Sequence, residues 1–181
     1  IALGKIPNVP NQKKALNTVI NKLGGFEKAA EDKQGREALI ALGKIPNPKK
    51  QQEILDIVIK SLGGIKKAAE DEQGLEALIA WGKIPNVPKQ EDALNAVINK
   101  LGGIKKAAQS ELGREALIAL GKIPNPKKQQ EVLDIVIEKL GGIEKAAEDK
   151  QGREALIALG KIPNPKKQQE ILDIVIKSLG G

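Results

Sequence analysis

Apolar residues recur at helical spacing along the whole chain, and no window alternates with the two-residue period of a strand. Residues 47–62 show this most clearly. Ile54, Leu55, Val58 and Leu62 form one stripe, widened by Ile57. Asn47 suits an N-cap, Pro48 suits the first turn, where a missing N–H costs nothing, and Gly63 ends the run. After Gly63-Gly64, the spacing of Ile65, Ala68 and Ala69 predicts a short helix ending near Gln73-Gly74. A further helix is predicted from about Leu75 to Ile84, with Leu78, Trp81 and Ile84 on one face and Ala77 and Ala80 beside them. Gly82 and Pro85-Asn86 close it. Gly74 then marks a corner, because glycine inside a helix costs about 1 kcal/mol relative to alanine. The alternative is one long, kinked helix and a unit of two helices.

The pattern repeats. The phrase IALGKIPN starts at Ile1, Ile40, Ile118 and Ile157, and at Ile79 with Trp81 in place of leucine. Each step is 39 residues with no insertion, giving units 1–39, 40–78, 79–117 and 118–156 and a partial unit 157–181 that matches 40–64 at every position. Such a period is the signature of a solenoid, in which each unit buries its apolar face against its neighbours. The expected domain is therefore single, 1–181, and the absence of drift points to recent duplication or to design. Leu16, Leu55, Leu94, Leu133 and Leu172 hold one third-helix position and are the expected core. Trp81 is expected to pack in the column of Leu3, Leu42, Leu120 and Leu159, with its indole N–H reaching a loop carbonyl or the solvent edge. Gly35, Gly113 and Gly152 stand where Gly74 stands.

Composition removes whole classes of chemistry. The chain has no Cys, His, Met or Tyr, and Phe26 and Trp81 are its aromatics. Thiolate and imidazole catalysis, disulfides and structural zinc fall away, and Leu, Ile, Val and Ala must build the core. Lack of cysteine fits a cytoplasmic or an engineered protein, and a first residue other than Met fits a fragment or a designed chain. No apolar run approaches the roughly 18 residues of a membrane span. The net charge of +7 is spread as +3, 0, +2, 0 and +2 over the five units, a solvated surface rather than a basic block.

Each unit thus has a short helix, a corner glycine, a Leu-rich helix closing in Pro-Asn and a long helix ending in Gly-Gly. This resembles armadillo repeats, and the phrase ALGKI, as at Ala41–Ile45, is similar to HEAT repeats. The resemblance implies an all-α, right-handed α-solenoid whose concave groove, lined by third helices, binds protein or an extended peptide. Importin-type armadillo grooves clamp peptide backbone with a third-helix Asn beside a Trp. No third helix here carries Trp, so that code is not reproduced.

The candidate ladder on the third helices is Asn17/Asn21, Asp56/Lys60, Asn95/Asn99, Asp134/Glu138 and Asp173/Lys177, each pair at i, i+4. An amide offers the donor and the acceptor that a peptide backbone also offers. The plainer reading makes these positions solvated residues opposite the core stripe. No catalytic, cofactor or metal site is expected: the Glu70-Asp71-Glu72 cluster lacks EF-hand spacing, and Gly-Gly-Ile-Lys-Lys at 63–67 and 102–106 is a turn without nucleotide-loop spacing. Scarce aromatics and Arg argue against nucleic acid. A remaining expectation is that unit sequences unchanged at both ends leave apolar stripes, so that either capping residues lie outside this sequence or copies stack head to tail.

Overall fold

The computed structural model describes residues 12–46, 48–124, 126–163, and residues 168, 169, 171, 173, 174 and 176. Leu3, Asn47, Leu172 and Lys177, named above, lie outside them. Among the described residues there are twelve α-helices and no strand. The chain forms two compact units, Ile1–Ala96 and Val97–Gly181.

In the first unit, α1 (Gln12–Lys22), α2 (Phe26–Glu31), α3 (Lys33–Gly43), α4 (Pro48–Ser61), α5 (Ile65–Ala68) and α6 (Glu72–Gly82) follow one another. The division falls inside α7 (Gln90–Lys100). The second unit continues with α8 (Ile104–Ala107), α9 (Glu111–Gly121), α10 (Pro126–Lys139), α11 (Ile143–Glu148) and α12 (Lys150–Gly160). In the first unit α3 packs on α1, α2, α4 and α6, and α4 also packs on α6. In the second, α9 packs on α8, α10 and α12, and α10 also packs on α12.

The core is aliphatic. Leu16, Leu39, Leu55, Leu78 and Leu94 are fully buried in the first unit, and Leu117, Leu133 and Leu156 in the second. No polar or charged side chain is buried among the described residues. Long helices end in a shared device. Gly63 and Gly64 have φ of 89° and 91°, a region open to glycine at little cost. The Gly64 N–H donates to the Ile59 carbonyl at 2.9 Å and the Gly63 N–H to that of Lys60 at 3.0 Å, a Schellman motif.

The corner differs from the sequence expectation. The short helix ends at Ala68, not near Gly74, and the next begins at Glu72 rather than Leu75 and stops at Gly82 rather than Ile84. Asp71, extended at φ −106° and ψ 138°, separates them, so the kinked single helix is not the form adopted here. Its carboxylate accepts from the Gly74 N–H at 2.9 Å, as an N-cap does. Asp32, Ser110 and Asp149 cap α3, α9 and α12 in the same way. Gly74 lies in the first turn of α6. A Cβ there would stand 2.0 Å from the Ala68 carbonyl oxygen. The glycine is a point of close approach between helices, not a hinge.

The third helices come in two lengths. α4 and α10 have 14 residues, α1 and α7 have 11. Val87 stands where the other form has Pro48, and Pro88 follows it. A residue before proline is pushed out of the helical region, which delays the start. Asn86 and Lys89 take φ of 60° and 62° in the approach to α7, and Val87 is buried.

Candidate functional site

Apolar spacing turns Leu55 and Val58 of α4 inward, and the residues between them outward. Gln52, Glu53, Asp56, Ile57 and Lys60 therefore share the opposite side of the helix. With Glu27 of α2, which packs beside α4, they line a shallow, open depression of about 510 Å³. Three carboxylates and one ammonium line it.

The ladder residues sit on third helices. Asn17 and Asn95 are half-buried, and Asn21 and Asn99, one turn further on α1 and α7, are exposed. None of the four side-chain amides bonds to another described residue, which leaves their donors and acceptors to solvent or to a ligand. Asp134 is half-buried and Glu138 exposed on α10. Asp173 is exposed and accepts from the Gln169 amide at 2.8 Å. Asp56 and Lys60 are the ladder pair that the depression brings together. Glu27, Gln52 and Glu53 were missed by sequence reasoning. Positions 52 and 53 precede Asp56 by four and three, a spacing that could have found them; Glu27 belongs to the preceding unit, and no local spacing points to it.

Trp81 is buried, as are Leu42, Leu120 and Leu159 at the matching positions. Its indole N–H does not reach a loop carbonyl. It donates to Asp56 Oδ1 at 2.7 Å, because the register of α6 on α4 sets the ring edge against the exposed side of α4. This charge-assisted bond fixes one carboxylate at the rim of the depression.

The arginines are engaged elsewhere. Arg36 Nη1 donates to the Ala30 and Glu31 carbonyls that end α2, at 3.0 and 3.1 Å. Its Nε donates to Gln73 Oε1 at 3.1 Å, and the Gln73 amide donates to the Lys33 carbonyl at 2.9 Å. Arg114 and Gln151 repeat the arrangement in the second unit. Exposed ion pairs Lys44–Glu76 and Lys122–Glu154, both 3.1 Å, tie the end of α3 to α6 and the end of α9 to α12. Asp71, from the Glu70-Asp71-Glu72 cluster, and Asp32 and Asp149, which follow Glu31 and Glu148, are helix caps.

No family model and no curated protein matches this chain. No helix of the described residues is long and apolar enough to cross a membrane.

Proposed function

We propose that the protein is a non-catalytic repeat scaffold, an armadillo- or HEAT-like α-solenoid of 39-residue units, that binds an extended peptide or protein segment along its third helices. The observation that carries this reading is the depression beside α4, which holds the ladder pair Asp56 and Lys60. An extended strand laid across it would present a side chain to Glu27, Glu53 and Asp56, so a basic side chain is favoured there. Its backbone would meet free amides of the kind offered by Asn17 and Asn21. Rim charges of this sort act on specificity and encounter more than on raw affinity.

The test is a peptide library in which basic, acidic and neutral residues vary independently. Enrichment of Lys and Arg, weakened by Glu53→Gln with Asp56→Asn, supports the reading. Selection of acidic peptides, or of none, removes it.

A further inference from the structure

Asp56 and Lys60 stand four residues apart on α4, with the acid nearer the N-terminus, the spacing and order that favour an ion pair along one helix. That pair is not made. Among the described residues nothing engages the Lys60 ammonium, nor the amide of Gln52, four residues to the other side of Asp56. The carboxylate instead reaches to α6 and accepts from the Trp81 indole. Asp173 shows the alternative. It holds the matching third-helix position, and its carboxylate accepts at 2.8 Å from Gln169, the counterpart of Gln52. Trp81 is the chain's single tryptophan, so no other third-helix carboxylate is held by an indole.

We infer that Trp81 is a positioning residue for the depression beside α4: its N–H holds Asp56 away from partners on its own helix and keeps that carboxylate open to a basic side chain. This role rests on recognition of a basic peptide there, as proposed above, and names the residue that prepares the site. The indole engages Oδ1, and Oδ2 makes no bond to another described residue. A carboxylate already fixed loses less freedom on binding than one that must first leave Gln52 or Lys60. The hold is charge-assisted and comes from a buried ring with little room to turn. Leu42, Leu120 and Leu159 fill the same column in other units, and leucine has no N–H to offer.

The affinity of a dye-labelled peptide of alternating lysine and serine tests this. Trp81→Leu puts in the residue that the other units bury at this position, so the far-ultraviolet circular dichroism spectrum should not change. Binding should weaken about threefold or more, the scale of coupled neighbouring residues. Trp81→Phe, which keeps a ring and lacks the N–H, should do the same, and it decides the matter if Trp81→Leu disturbs the fold. In the Gln52→Ala, Lys60→Ala background, which lacks both competing partners, most of that loss should vanish. A loss of equal size in both backgrounds would mean that Trp81 acts through packing alone. That result, or no loss at all, would overturn the positioning role while basic-peptide recognition stands. No binding by the unaltered chain would overturn both.

Discussion

The indole N–H of Trp81 donates to the carboxylate of Asp56 at 2.7 Å, joining the buried side of α6 to the exposed side of α4. One residue is core and the other lines the depression, so events at the depression have a reporter in the core. Trp81 emission should be that of a buried indole, poorly quenched by iodide. Asp56→Ala should cost about 1 kcal/mol, since it leaves the indole N–H without its acceptor, and should shift the emission. Asp56→Asn, which keeps an acceptor oxygen, should do less. Emission of a water-exposed ring would refute the assignment.

Gly74→Ala offers a test by sign. In an ordinary helix this change stabilises by about 1 kcal/mol. Here the new Cβ would lie 2.0 Å from a backbone oxygen, and α5 and α6 would have to separate. Chemical denaturation should therefore show a clear loss, repeated in Gly113→Ala. A gain in stability would mean that the close approach is not present.

Leu94 is fully buried, and its side chain lies over Gly82 at the end of α6. Leu94→Ala should cost about 2–5 kcal/mol, the lost transfer energy plus a cavity. A loss below about 0.5 kcal/mol, the scale of a neutral surface change, would place the side chain outside the core.

Arg36 and Gln73 lie 37 residues apart in the chain and act together across neighbouring repeats. A double-mutant cycle to Ala at both should return a coupling of at least about 0.5 kcal/mol. A coupling indistinguishable from zero would show that the bond does not hold in solution.

The helices and their buried leucines were legible because apolar spacing reports directly on which side of a helix faces the core. Leu16, Leu55, Leu94 and Leu133 follow from that alone. The corner lies at Asp71, three residues before Gly74, because that glycine serves close approach inside the first turn of α6 and does not break a helix. The local signal was there: Asp, Ser, Asp and Asp stand three residues before Gly35, Gly113, Gly74 and Gly152 in the different units, the spacing at which a cap side chain meets a backbone N–H. Contacts between repeats were harder to see. Trp81–Asp56 depends on the register of one helix on another, which no single stripe encodes. Arg36–Gln73 left a trace, since Gln also stands 37 residues after Arg114. For the ladder, helical spacing identified the exposed sides of the third helices, but the part played by Glu27 depends on how α2 leans on α4.

Titration of Trp81 fluorescence with short extended peptides tests the central claim most directly. A peptide rich in Lys and Arg should change the emission saturably, because its cationic group would engage the carboxylate to which the indole donates. The same peptide should bind Glu53→Gln with Asp56→Asn at least about tenfold more weakly, a loss of 1.4 kcal/mol or more, and its acidic counterpart should leave the unaltered protein's emission unchanged. No saturable change with basic peptides, or equal binding to the double variant, would contradict recognition at this face.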